Sequence, residues 1–415
     1  MTLVQMALAQ VDLTQLLARL GFESVWDPQL GVLAVIAVSW IANADFHRRF
    51  RASIRSAPRL DPLDEVPEQL PSVSVIIPVY NEAVNVTECL KAVLANVLPE
   101  GAQLQVIVAD DESTDETKAL AEQVADERTL VFTVPPRPSD RSWRGKNWAC
   151  AQAVEQATGD YLLFVDADVR LKPQAIARSL ANAQTYQTDL LSCAPKIVCG
   201  CWAEWLVQPL MALLIAVGFS FEGVNNPAEP NKSAAAGPFM LFRRDAYDQV
   251  GGHEAVATNP VEDFALAHEI KSRGLKLRYV LGLDIADVQM YRSFAGLWEG
   301  WTKNFHIAGG RNIALTFFAA VAIALLFVVP WLGLLTGVIA LWLGASHGGW
   351  MVLFAMVAIA LQLYMRLSAN SVVVQPVKYL WLGWLGGGLI SAIALTSLWK
   401  TETGWGWTWR GRPLG

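Results

Sequence analysis

Tyr161-Leu162-Leu163-Phe164-Val165-Asp166-Ala167-Asp168 is the stretch that decides how this chain is read. Its five apolar residues suit a strand inside a sheet. The two acids just beyond, separated by one small residue, can meet a single hard cation through oxygen ligands, with a diphosphate supplying the remaining oxygens. A D-x-D triplet occurs in many loops, and its place after a buried strand is what gives it weight.

Outward from this strand, Val73 to Val79, Gln105 to Ala109 and Leu130 to Val134 are further short apolar runs, and helical patterns fall over Glu82 to Asn96, Asp115 to Val124 and Asn147 to Ala157. Strands alternating with helices predict an α/β domain with a mostly parallel sheet and ligands at its carboxyl edge. Three more motifs accompany the triplet. Pro78-Val79-Tyr80-Asn81-Glu82 breaks a strand and leads into a helix, whose free N–H groups suit a nucleotide. Asp110-Asp111-Glu112-Ser113-Thr114-Asp115 sets two acids side by side at a strand end, a repulsion that a donor group or a cation usually answers. The same residues also read as an acidic turn in which Ser113 caps the next helix. Glu262-Asp263 opens a helical pattern after Pro260, where acids are commonly partners of the helix dipole; the company of the other motifs gives the pair a chemical role.

The flanks are of another character. The chain has 415 residues, 53% of them hydrophobic and 17% charged, with 17 Trp. This is too apolar for a wholly soluble enzyme and too charged for a wholly embedded one. Residues 25–45 reach the roughly 20 apolar residues a bilayer crossing needs, and His47-Arg48-Arg49-Phe50-Arg51 follows at once. By the positive-inside rule what comes next, after a linker at 46–70, is cytoplasmic. Residues 1–24 form an N-terminal segment without the marks of a cleaved signal peptide. Within 314–399 the only charges are Arg366 and Lys378, so three or four membrane segments are expected, Pro330 either kinking one helix or separating two. Arg311 before this block and Lys400, Arg410 and Arg412 after it favour an even number of crossings. A segment near 202–221 reads as an interfacial helix because Glu204 and Gln208 interrupt it. Residues 400–415 form an aromatic-basic tail, which reads as interfacial anchoring.

The net charge is −6, without a Lys/Arg block long enough to track a phosphate backbone, so nucleic acid is not the expected partner. The five cysteines follow no metal or redox spacing and receive no role.

In their order, the P-V-Y-N-E, D-D-x-S-T-D, D-A-D and E-D motifs make about residues 71–305 resemble a family-2 inverting glycosyltransferase, which implies a GT-A nucleotide-sugar domain of mixed, mostly parallel sheet over 71–313. The flanking segments resemble the lipid-directed membrane branch, which includes ceramide glucosyltransferases and carotenoid or hopanoid glycosyltransferases. Gly237 to Arg244, Gly251-Gly252-His253-Glu254 and Met290-Tyr291-Arg292 look most like the carotenoid type.

The resemblance implies that Pro78, Tyr80 and Glu82 line the nucleoside pocket, that Asp110 binds the base and that Lys146 lies beside the nucleotide. It further implies that Asp168, helped by Asp166, holds Mg²⁺ or Mn²⁺ against the diphosphate, and that Asp263 is the base. Gly237, His253, Glu262, Trp301 and Lys303 are candidates for acceptor or phosphate contacts; for His253 a solvated loop, and for Trp301 an interfacial anchor, are equally good readings. Gln289-Met290-Tyr291-Arg292 keeps only part of the Q-x-x-R-W stretch of processive members, which weighs against a polysaccharide synthase.

The expected protein is thus an integral membrane enzyme with a cytoplasmic catalytic domain. It would move one hexose from a nucleotide sugar, UDP-hexose first among them, to the hydroxyl of a membrane lipid. A membrane scaffold or transporter is the non-enzyme alternative, and a membrane block almost without ionisable residues speaks against it.

Overall fold

The structure, a computed structural model, describes residues 28–60, 62, 69–139, 143–370, 372–374, 376–409 and 412–413. The expected N-terminal segment 1–24, Val25 and Trp26, most of 61–68 and Arg410 lie outside these residues.

The catalytic-domain elements are strands β1 (Val73–Val79), β2 (Leu104–Asp110), β3 (Thr129–Thr133), β4 (Tyr161–Val165), β5 (Val169–Leu171), β6 (Leu190–Val198), β7 (Phe239–Arg243) and β8 (Leu277–Val288). With β9 (Val373–Val374), which pairs beside β6, they make one nine-stranded sheet in the order β3-β2-β1-β4-β7-β6-β8-β5. Five pairings are parallel and three, all made by β5 or β7, antiparallel. Val75, Ile76, Ile77, Leu162, Leu163 and Val165 are wholly buried, because layers on both faces of the sheet cover the central strands. Each such side chain contributes about 1.5–3 kcal/mol, and the unbroken apolar run is what a strand buried on both faces requires.

Helix α1 (Pro28–Ser56) is the first of those described, followed by α2 (Val86–Leu94), α3 (Thr117–Val124), α4 (Gly145–Gln156), α5 (Ala175–Thr185), α6 (Trp202–Gly218) and α7 (Glu262–Ser272). After β8 come α8 (Phe294–Ala308), α9 (Ile313–Phe327), α10 (Val329–Trp342), α11 (Gly348–Ala369) and α12 (Gly383–Thr403).

Two expectations change here. Helix α1 continues through residues assigned to the linker, since Phe46, Phe50 and Ser53 are buried and Ser53 Oγ accepts from the Phe221 N–H at 3.3 Å. The basic cluster is carried on helix, with Asp45 pairing Arg48 at 2.7 Å and Arg49 at 2.6 Å. In α6, Glu204 and Gln208 are fully buried rather than facing water. Glu204 accepts from the N–H groups of Gly200 at 2.7 Å and Tyr291 at 2.9 Å, and Gln208 accepts from Trp301 Nε1 at 2.8 Å. The polar interruption of this helix fastens it to the catalytic domain.

Three described stretches are long and apolar enough to cross a membrane: Pro28–Ser56, Gly348–Ala369 and Val377–Thr403. Helices α9 and α10 are each too short alone and meet at a 48° bend. The break falls at Val328, just before Pro330, which stands in the first turn of α10 where its missing N–H costs nothing. Large exposed apolar side chains, among them Leu30, Ile41, Phe318, Leu335, Trp342 and Trp399, concentrate on these helices. A separate apolar cluster of α1, α6, α9, α11 and α12 residues, including Phe46, Phe50, Leu210, Phe327, Met365 and Ile390, joins them to the catalytic domain.

Candidate active site

At the carboxyl edge the first two motifs are sewn into one another. The N–H groups of Asn81, Glu82 and Ala83 donate to Ser113 Oγ (2.9 Å), Thr117 Oγ1 (2.7 Å) and Asp115 Oδ2 (3.3 Å), and Asn81 Oδ1 accepts from the Thr114 N–H at 2.9 Å. This corrects the expectation that these amides are free for a nucleotide. Helix α2 begins only at Val86, and Asn81 turns the chain at φ 51, a conformation asparagine tolerates. Glu82 accepts from Asn85 Nδ2 at 2.9 Å, while Pro78 and Tyr80 remain at the strand end beside Asp110.

The repulsion between Asp110 and Asp111 is answered in two ways. Asp110 takes the Ser113 N–H at 3.3 Å. Asp111, only 4% exposed, is met by Arg412 from the far end of the chain.

The D-A-D turn closes with the Val169 N–H on Asp166 O at 3.1 Å and is braced by Arg170, which donates to the carbonyls of Ala167 and Val169 at 3.0 and 2.8 Å. The first turn of α4 reaches toward it. Asn147 Nδ2 donates to the carbonyls of Val256 (2.7 Å), Ala257 (3.2 Å) and Asn259 (3.0 Å), tying α4 to the loop that leads into α7. Lys146 is thereby placed between two acids, 2.6 Å from Asp166 Oδ1 and 2.7 Å from Glu262 Oε1. Burial opposes charge on this ammonium, but Asp166 and Glu262 outweigh it and hold its pKa well above the ordinary value.

Asp263 stands next in line. Its Oδ2 accepts from the Gly237 N–H and its Oδ1 from the Phe264 N–H, both at 2.9 Å. Burial and then the neighbouring Glu262 push its pKa up to about 7, against the pull of Lys146. Burial would raise Glu262 too, but direct contact with Lys146 overrides it and keeps Glu262 below its ordinary value. Two adjacent carboxylates are therefore driven apart, one held ionised and one poised near neutrality, the pattern expected of acid–base chemistry. Lys303 on α8 faces the same acids; burial lowers its pKa while Glu262, Asp263 and Asp166 act against that.

Thus Lys146, Asp166, Gly237, Glu262, Asp263 and Lys303 come together, and Pro78, Tyr80, Glu82 and Asp110 form the adjoining half. Two candidates have other partners. His253 is 1% exposed, with Nδ1 2.7 Å from the Tyr247 hydroxyl and its ring 4.7 Å from that of Phe164. Burial pushes its pKa down to about 3, with Glu262 and Lys146 acting on it in opposite senses, so it is a neutral buried residue and not one of a solvated loop. Trp301 sits at the joint with α6, bonded to Gln208. The sequence reading missed Arg412 as a neighbour of this site, because nothing but the folded chain brings residue 412 to residue 111.

The acids of the triplet fit a hard divalent cation by the chemistry of their donors. Among the described residues no three or more His, Cys, Asp or Glu side chains are grouped to hold a metal, so the remaining oxygens would have to come from a diphosphate and water. Lys146 stands on one oxygen of Asp166.

Residues 74–251 match the family described as Glycosyl transferase family 2. A 242-residue stretch is 30% identical to a 4,4'-diaponeurosporenoate glycosyltransferase of Staphylococcus aureus (strain MRSA252), covering 58% of this chain and 62% of that protein. Among solved structures, a mannosyltransferase from Pyrobaculum calidifontis in complex with GDP-Man and Mn²⁺ is similar over 90% of this chain and 98% of its own, with a TM-score of 0.53 and 18% identity. That likeness shows the fold, a GT-A sheet followed by apolar helices. Residues 74–251, which hold the first three motifs, thus match a family-2 glycosyltransferase model, and the chain spans less than two thirds of the length of the curated relatives it matches.

Proposed function

We propose that the protein transfers one hexose, with inversion, from a nucleotide sugar to the hydroxyl of a membrane lipid, with a carotenoid-like acceptor favoured and UDP-hexose as the donor. The observation that carries this reading is the line Asp166–Lys146–Glu262–Asp263, which runs from the diphosphate end of the site to a carboxylate poised near neutrality.

In the transfer the acceptor oxygen attacks the anomeric carbon, the bond from that carbon to the diphosphate breaks with its electron pair leaving on the diphosphate, and Asp263 takes the acceptor's proton. Gly237 N–H holds the Asp263 carboxylate in place, and Lys146 keeps Glu262 ionised beside it. A cation held by Asp168 and Asp166 would supply neutralisation of the departing charge. The donor is held at Tyr80, Pro78 and Asp110.

The Staphylococcus aureus relative is named for a carboxylate-bearing acceptor. A carboxylate attacks without losing a proton and would be repelled by Asp263, so a base with a raised pKa favours a hydroxyl here.

The site lies beside α6 and α8, which are packed against the apolar helices, and this supports an acceptor that arrives from the bilayer; the basic residues Arg48, Arg49 and Arg51 after the first apolar run support a cytoplasmic catalytic domain. Arg311, before α9, and Glu402, near the end of α12, are 2.7 Å apart, which puts both ends of the block on one side. At the start of α12, Arg366 donates to the carbonyls of Leu380 and of Trp205 in α6. Helix α12 is thus tied to the catalytic side at both ends, which supports the bent α9–α10 pair and α11 as the outward and return crossings.

Incubation of the purified protein with labelled UDP-hexose and a lipid extract tests the reading. A product carrying one sugar and extracting into organic solvent is predicted; a ladder of water-soluble polymer would replace this reading with a synthase.

A further inference from the structure

The tail that reads as a membrane anchor runs back to the catalytic edge. After α12, Trp407 is buried with the Arg144 guanidinium 5.5 Å from its ring centroid. Thr408 Oγ1 donates to Glu299 of α8 at 2.8 Å, and Thr408–Trp409 pairs antiparallel with Arg412–Pro413. This hairpin delivers Arg412 to a defined place. One Nη is paired with the Asp111 carboxylate and the other donates to the Asp111 carbonyl at 2.9 Å, while the guanidinium lies 3.5 Å from the centroid of the Tyr80 ring. Gly145, at the head of α4, presses on the same pair: a Cβ there would meet Asp111 Oδ2 and stand 3.4 Å from Arg412 Nη1.

Arg412 therefore occupies the ground between Tyr80 on one side and Lys146 with the D-A-D turn on the other. We propose that Arg412 is a donor-binding residue: the C-terminal hairpin is a strap that brings a planar cation onto the diphosphate of the nucleotide sugar. This rests on the reading of the edge as a nucleotide-sugar site.

Charge and shape both support it. Asp111 faces Arg137 as well as Arg412, so two cations stand together at this corner of an otherwise acidic edge, where an anion can meet them. Asp111 takes two of the five N–H donors that a guanidinium carries in a fixed fork, and such a fork matches phosphate oxygens. The backbone of Asp111 is itself fixed, its N–H donating to Val79 O at 2.9 Å, so the arginine is held before any ligand arrives. The strap also rests on α8, so it links the helix at the membrane joint to the donor pocket.

Equilibrium binding of UDP and of GDP, each with Mn²⁺, to the full chain in detergent is the test. Arg412→Ala is predicted to weaken binding of the nucleotide by about 10- to 100-fold, as for loss of charged hydrogen bonds. It should raise the KM for the donor and, because the diphosphate gathers charge as it leaves, lower kcat as well, while the KM for the lipid stays within about twofold; thermal unfolding is measured alongside, since buried Asp111 loses its partner. Arg412→Lys, which keeps the charge and loses the fork, should recover part of the affinity. Thr408→Val, which cuts the strap's tie to Glu299, should weaken binding in the same direction and by less. Unchanged binding in Arg412→Ala would overturn the proposal alone, and tighter binding would recast the arginine as a plug. Wild-type protein that bound neither nucleotide would overturn the reading of the site and this proposal with it.

Discussion

Asp263 and Glu262 are sequence neighbours with the same functional group, yet their partners differ: Glu262 touches Lys146 and Asp263 touches two backbone amides. Asp263 accepts a proton only when ionised. Its pKa stands above the ordinary value at about 7, so the transfer rate should climb as pH rises through about 7 and level off above it. Glu262→Gln removes a charge that raises Asp263 and should move that limb to lower pH, whatever it does to the plateau; a pH–rate profile of both proteins checks this, and an unmoved limb would separate Asp263 from the proton transfer. Gly237 serves the same carboxylate. A Cβ at Gly237 would stand 3.0 Å from Asp263 Oδ2, so Gly237→Ala should displace the base by a few tenths of an ångström and lower kcat by about 10- to 100-fold, with binding of the nucleotide intact.

At the scale of elements, the parallel half of the sheet is legible in the sequence because β1, β2 and β4 are buried on both faces and read as unbroken apolar runs. The half made by β5 to β8, where the antiparallel pairings lie, is not. Strand β6 contains Pro195, at which its register with β8 shifts, and the buried run of β8 is interrupted at Arg278, Leu283, Asp284 and Asp287, so neither stands out as a strand. The turn after β1 misled for a related reason: its amides are satisfied by side chains more than thirty residues away, a pairing that no local pattern announces. His253 misled because a Gly-Gly turn looks exposed when its neighbours Tyr247 and Phe164 are unknown. One element depends on a single buried cation. Lys271 of α7, 7% exposed, donates to the carbonyls of Gly223, Val224, Asn226, Glu229 and Lys232 at 2.7–3.3 Å and so gathers the loop that leads to Gly237. Lys271→Met leaves those carbonyls without their donor and should cost about 3 kcal/mol or more, read as an earlier denaturation midpoint.

For the whole molecule, the sequence left three or four crossings after Asn312 with a kink or a break at Pro330; the 48° bend answers the second point, and the ties at both ends of α12 come only from the fold. In a cysteine-free background, Ser346→Cys, in the turn between α10 and α11, should react with a membrane-impermeant thiol reagent from outside intact cells, and Thr403→Cys only after permeabilisation. Labelling of both from outside would contradict ends of α12 that share the catalytic side. The account as a whole stands on Asp263 as the base of a sugar transfer. The most direct measurement is transfer of labelled hexose to lipid by Asp263→Asn, made beside nucleotide binding by the same protein. The account predicts binding close to wild type with transfer lowered by about 10²- to 10⁴-fold; full transfer activity in that variant would contradict it.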